Sequence, residues 1–274
     1  MLSNMGTSHW VRSMSNPPTL MSAVKSEWIK FRTVRASILG VVVTFVLTIG
    51  LGALITTAVR GHYHEMNPLR KITFDPVSTS LGGTLFAQFA VGVIGTLFIT
   101  SEYSSGSIRT SLAAVPQRSR LVIAKAIVLI FSILIVSEVA VFITFQLGQS
   151  IFSGVVPTAS LSSGPVLEAV ILAGVYLTLL SVLGFSLGLI LRQSAACISV
   201  FTSILLILPI VMFLLPQSWQ TSYSKYEPSA LGQAMMSPTP AVNSFGAGTA
   251  AIILLAYVVV TLGVGTTLLH RRDA

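Results

Sequence analysis

Six long runs of apolar residues divide this chain, at about 37–59, 79–100, 121–146, 166–191, 195–215 and 248–269. Each is near the ~20 residues that a helix needs to cross the hydrocarbon layer of a bilayer. The runs are too apolar all round for surface helices, and they lack the short alternating segments of a membrane barrel. The pattern predicts an all-α polytopic membrane protein with six transmembrane helices over residues 37–270.

Ahead of the first run, residues 20–36 follow a different period. Met21, Val24, Trp28 and Phe31 fall on one side of a helical wheel, and Ser22, Ser26, Glu27, Lys30 and Thr33 lie away from it. This predicts an amphipathic helix lying in the interface, with Trp28, Lys30, Arg32 and Arg35 as its anchors to headgroups. The alternative is a plain extension of the first span. Residues 1–19 are polar, contain Asn16-Pro17-Pro18, and are expected to form a disordered cytoplasmic tail.

Composition narrows the class. Charged residues make up 9% of the 274 and the mean hydropathy is +0.85, whereas a soluble domain carries about 25% charged residues. The net charge of +8 sits in clusters at the ends of apolar runs, as in headgroup anchoring rather than nucleic-acid binding. With the N-terminus inside, twelve of the 16 Lys and Arg fall on the cytoplasmic face. Only Arg60, Arg70, Lys71 and Lys225 lie outside. Both termini are therefore expected in the cytoplasm of a cell-membrane protein. The first apolar run is too long for the core of a signal peptide. Cys197 is the single cysteine and excludes an intrachain disulfide.

The longest inward-facing polar piece between spans is 101–120. Glu102 opens it, Gly106 interrupts it, and Ser104 or Ser107 is placed to cap a short helix over 108–114 that Pro116 stops. Ile108, Leu112 and Val115 recur at helical spacing beside Arg109, while Arg118, Arg120 and Lys125 anchor the third span. Taken alone, the piece reads equally as a partner-binding helix or as a plain cytosolic hairpin. Glu138 is the one carboxylate well inside a span, where a charge costs about 2.5–3.5 kcal/mol. It is therefore expected to face the bundle or a hydrated cavity, or to be protonated, as a residue of a transport path or as an interhelical hydrogen-bonding group.

The outer loops carry less signal. His62-Tyr63-His64-Glu65 offers two imidazoles and a carboxylate without a further ligand, a weak basis for a metal site, and no metal is assigned. Residues 216–247 hold Trp219, Tyr223 and Tyr226, suited to the outer interface, and Pro228 opens a short helix expected to cap or re-enter the outer mouth. Pro209 is expected to bend the fifth span. No phosphate-binding loop, HExxH, CxxC or GxSxG is present, so the chain shows no catalytic constellation and binds no cofactor of its own.

Three motifs in order resemble the permease subunits of ABC-2 type transporters, in the bacterial exporter branch. The first is Ser26-Glu27-Trp28-x-Lys30-x-Arg32-x-x-Arg35. The second is Glu102-Tyr103-Ser104-Ser105-Gly106-Ser107-Ile108-Arg109, followed by Leu112, Pro116, Arg118 and Arg120, with Ser107 where the family usually has threonine. The third is Pro228-Ser229-Ala230-x-Gly232-x-Ala234. The resemblance implies an exporter subunit that hydrolyses nothing itself and pairs with a second permease copy, as a homodimer. It also implies two copies of a separate ATPase subunit, which carry ATP and magnesium. The short helix after the second span would be the coupling helix, with Glu102, Gly106, Ser107, Ile108, Arg109, Leu112 and Pro116 as its residues. The alternative is a secondary transporter driven by an ion gradient and centred on Glu138. The substrate is not legible: drugs, antibiotics, lipids and peptides all suit an apolar path.

Overall fold

The structure, a computed structural model, describes residues 19–114 and 117–271. It has six helices long and apolar enough to cross a membrane: Arg35–Glu65, Pro76–Ser104, Arg118–Phe152, Gly164–Leu191, Ser194–Leu214 and Ala247–Arg271. Strands are absent among the described residues. The expected tail before Thr19 and the expected stop at Pro116 lie outside them.

Helix α1 (Leu20–Thr33) starts at Thr19, whose hydroxyl accepts from the Ser22 N–H at 3.2 Å. Val34 then adopts an extended conformation (φ −76°, ψ 121°) before α2 (Arg35–Phe45). A β-branched residue loses little by leaving the helix, and the break separates α1 from the first span. That span runs on through a π-helical turn at Val46–Leu51 into α3 (Gly52–His62).

The stretch 60–78, expected as a solvated loop, is largely helical. Asn67 caps α4 (Pro68–Ile72) by accepting from the Arg70 N–H, and Asp75 caps α5 (Pro76–Ser80) by accepting from the Val77 N–H. In both, proline takes the first turn, where its missing N–H removes no intrahelical bond. A tight turn at Leu81–Gly83 joins α5 to α6 (Thr84–Ser104).

Gly106, with φ +71°, ends the second span and lets α7 (Ser107–Ala114) leave at an angle. Helix α8 (Arg118–Phe152) is 35 residues long and runs past the expected end at 146. Its last turn is held by Gln149, which donates to Ser80 Oγ at 2.9 Å and accepts from the Ala159 N–H at 2.7 Å. A buried amide satisfied in this way lets the helix continue where hydropathy falls.

Helix α9 (Gly164–Leu191) is the hub and packs on α6, α8 and the last span. Two-thirds of its most apolar window is buried (67%), against 17% for the first and fifth spans and 22% for the sixth, which leave most of their apolar surface to lipid or partners. The closest approach is between α6 and α9. A side chain on Gly95 would collide with the Ser181 carbonyl, and one on Gly184 with the Gly92 carbonyl. Without a hydrophobic drive between helices in lipid, this backbone contact is what holds them.

The fifth span comprises α10 (Ser194–Thr202), a π-helical turn at Ser203–Ile207 and α11 (Leu208–Leu214). The wide turn sits just before Pro209 and relieves the ring's conflict with the preceding turn. After α12 (Gln217–Tyr223), helix α13 (Pro228–Met236) folds back against α9 and against α14 (Ala247–Arg271), burying Leu231, Met235 and Met236. Gly232 of α13 admits the Tyr176 ring, whose hydroxyl donates to Gln88.

Candidate functional site

Four elements meet where the first three spans begin or end on one face: α1, the C-terminal end of α6, α7 and the first turns of α8. Their contact is ionic. Lys125 of α8 is 1% exposed and donates to Glu27 Oε2 at 2.6 Å and to Glu102 Oε1 at 2.8 Å. Lys30 of α1 donates to Glu27 Oε1 at 2.8 Å, to Glu102 Oε1 at 2.9 Å and to Ser111 Oγ of α7 at 3.1 Å.

The two carboxylates and two ammoniums balance in charge. That balance matters because Glu27 and Glu102 are also buried, and a buried charge is tolerated only when paired and hydrogen-bonded. The Lys125 ammonium also stands 5.0 Å from the centre of the Phe98 ring, a cation–π contact. Partial burial would lower the pKa of Lys30, but its hydrogen bonds to Glu27 and Glu102 outweigh this and raise it above the ordinary lysine value. The cluster ties α7 to α1 through Lys30 and Ser111, and ties both to the second and third spans through Glu102 and Lys125. A displacement of α7 must either carry α1 with it or break the Lys30–Ser111 hydrogen bond.

Helical periodicity assigns Glu27 to the polar face of α1, whereas Ala23, Glu27 and Phe31 form its buried face and Met21 is exposed. The partner that turns Glu27 inward, Lys125, lies 98 positions away in sequence. Trp28 is half-buried and packs edge-on against Phe131 of α8, with centroids 6.2 Å apart. Arg32 and Arg35 are exposed. The Arg118 guanidinium donates to the Leu269 carbonyl at 2.6 Å, closing the last turn of α14, and Arg120 is half-buried.

Within α7, Ile108 is 4% exposed and packs into the core, and Ser107 is half-buried. The side chains of Arg109 and Leu112 lie outside the described residues. Glu138 lies apart from the cluster, against Gly174 of α9, and its Oε2 has no hydrogen-bond partner among the described residues. Among those residues no three His, Cys, Asp or Glu gather as a metal site, and His62 Nδ1 lies 2.9 Å from the Ala58 carbonyl oxygen.

Sequence reasoning picks out Glu102 and Lys30 but misses Glu27, Lys125 and Ser111 as their partners. One signal was available. The chain has only 8 acidic residues, and two of them stand at the ends of apolar segments close to lysines.

Comparison with known proteins adds a family. Residues 23–212 match the model of the ABC-2 family transporter protein, more than half of the chain and all of the ionic cluster. No curated protein matches the chain significantly.

Proposed function

The chain belongs to the ABC-2 transporter family, and from that premise we propose that it is the permease subunit of an exporter driven by a separate ATPase. Membership makes it a membrane permease of an ABC transporter. The proposal adds the direction of transport, the coupling element and the assembly: a homodimer of this chain with two ATPase subunits below it, both termini being cytoplasmic.

The observation that carries the coupling reading is the ionic cluster. A partner pressing on α7 would act on Ser111 and Ile108, and through Lys30, Glu102 and Lys125 on α1 and on the second and third spans together. ATP binding in the partner can shift the bundle between two states only if the partner contacts them differently. A helix bonded through Ser111 to Lys30, and so to the charge pairs that join α1 to the second and third spans, supplies such a difference.

The test is ATPase activity of the reconstituted complex. Arg109→Glu and Leu112→Ala alter α7, and each is expected to lower substrate-stimulated ATP hydrolysis while membrane insertion stays normal. Full activity in both variants would remove α7 as the coupling element.

A second reading is a transporter driven by an ion gradient at Glu138, a half-buried side chain, favoured by its buried Oε2, which has no hydrogen-bond partner among the described residues. It requires transport in vesicles without ATP, lost in Glu138→Gln. Transport that always requires ATP excludes it.

A further inference from the structure

At the ends of the first two spans opposite the ionic cluster, a cavity of about 560 Å³ opens between α3, the start of α6, α13 and the segment that leads into α14. Its volume is in the range of small-molecule sites, about 300–1,000 Å³. The first two spans supply an apolar wall of Ile55, Leu81 and Leu85, and the facing wall comes from 224–245. No carboxylate lines the cavity among the described residues.

Six hydroxyls line it, but their protons are already engaged. Ser78 donates to the Asp75 carboxylate, Thr79 to the Asp75 carbonyl and Thr84 to the Leu81 carbonyl. Ser224 donates to the Gln220 carbonyl, Ser237 to the Thr239 carbonyl and Ser244 to the Ala241 carbonyl. The Asp75 carboxylate also accepts from the Val77 N–H, which fixes it as the cap of α5 rather than as a counter-ion.

The polar groups left uncommitted are nitrogen donors. Lys225 is half-buried and makes no ion pair or hydrogen bond among the described residues. Its ammonium stands 5.2 Å from the centre of the Phe245 ring and 5.6 Å from that of Tyr226, and the two rings pack edge-on with centroids 5.1 Å apart. These cation–π contacts position the charge without neutralising it. Gln233 and Asn243 line the same cavity, are exposed, and have amides without a hydrogen bond among the described residues.

We propose that this cavity binds an amphipathic monoanion, with its carboxylate or phosphodiester headgroup on the Lys225 ammonium and its hydrocarbon tail along Ile55, Leu81 and Leu85. One ammonium balances one negative charge, and its three N–H donors are available to the headgroup oxygens. The amides of Gln233 and Asn243 add uncharged donors for the remaining lone pairs. A neutral lipophile of the same length gains the wall but not the charge, and a cation is repelled. The site stands apart from α7, so its occupancy is independent of any ATPase partner and of the coupling reading.

The test uses the full chain in phosphatidylcholine nanodiscs and a palmitate that carries a photoreactive diazirine on its chain, with cross-linked peptides identified by mass spectrometry. Cross-links are expected between Leu81 and Leu85 or between Ala230 and Phe245, displaced by unlabelled palmitate but not by hexadecanol, which has the same tail without the charge. Lys225→Gln is expected to lower the apparent affinity about tenfold, as for loss of one charge-assisted hydrogen bond, and Lys225→Arg to keep it. Ala241→Trp fills the cavity from its exposed rim and is expected to abolish labelling. It leaves every charged group in place, so it carries the test if Lys225→Gln fails to fold. Nanodiscs in which phosphatidylglycerol replaces part of the phosphatidylcholine separate the two sources of the anion: loss of labelling identifies a bilayer lipid as the occupant, and undiminished labelling a free carboxylate. Equal displacement by hexadecanol, labelling unchanged in Lys225→Gln or in Ala241→Trp, or cross-links confined to other surfaces would each overturn the proposal.

Discussion

Replacing Lys125 with methionine tests whether the ionic cluster holds α1 and the first spans together. Methionine keeps the length and apolar stem of lysine and removes only the ammonium. In the structure that ammonium is 1% exposed and holds Glu27 Oε2 at 2.6 Å and Glu102 Oε1 at 2.8 Å. Without it, two buried carboxylates share Lys30, whose side chain is 38% exposed and which already bonds one oxygen of each. Removing one partner of a buried pair costs about 3–5 kcal/mol. Because Lys30 still compensates part of the negative charge, the lower end, about 3 kcal/mol, is expected.

Equilibrium unfolding in mixed micelles of mild detergent and SDS measures this cost. Trp28 serves as the probe, because it packs on Phe131 of α8 and loses that contact when α1 detaches; Trp10 and Trp219 are replaced by phenylalanine. Glu27→Gln in the same background removes one excess negative charge. The double variant should therefore be more stable than the sum of the single effects predicts, by about 1–3 kcal/mol. If Lys125→Met lies within about 0.5 kcal/mol of the parent, as for an ordinary surface change, or if the two changes are simply additive, the cluster does not bear on stability and the reasoning fails.

Two further outcomes follow from other parts of the molecule. Glu227 is largely buried at the start of α13, its Oε1 has no hydrogen-bond partner among the described residues, and burial raises its pKa above the ordinary 4.5. An acid raised on folding favours the folded state while protonated, and that contribution is lost as pH rises through its folded pKa. Glu227→Gln should therefore raise the melting temperature at pH 7 by a few degrees, for a gain of about 1 kcal/mol at most, and should have no effect well below pH 4.5. A variant that is equally stable to the parent at both pH values would contradict the burial argument. At the crossing of α6 and α9, Gly184→Leu places a side chain against the Gly92 carbonyl and should cost at least about 1–3 kcal/mol, seen as loss of monodisperse protein on size exclusion. Normal yield and unfolding would show that the two backbones do not need to be this close.

Much of the fold is legible in the chain because a bilayer imposes it locally. A span must satisfy its own backbone within one contiguous apolar helix, so hydropathy alone locates six of them. Gly106 reads as an interruption because a left-handed turn favours glycine, and φ +71° is found there. The helical content of 60–78 was not legible by hydropathy, since its helices depend on the capping side chains Asn67 and Asp75 rather than on apolar runs. The length of α8 was hidden for a similar reason: the amide of Gln149 is polar in the sequence and fully engaged in the fold.

The candidate site lies on the other side of that division. Composition and charge order determine that this is a six-span membrane protein with its cations gathered at span ends, and motif order points to its family. They do not reveal that Glu27 faces inward or that Lys125 is a buried counter-ion. Those facts depend on α1, α6, α7 and α8 meeting at one place, and Glu27 and Lys125 are 98 positions apart. Hydropathy is a property of each segment with its solvent, whereas the stability of a buried charge depends on what stands within about 4 Å of it. Only the tertiary structure decides that.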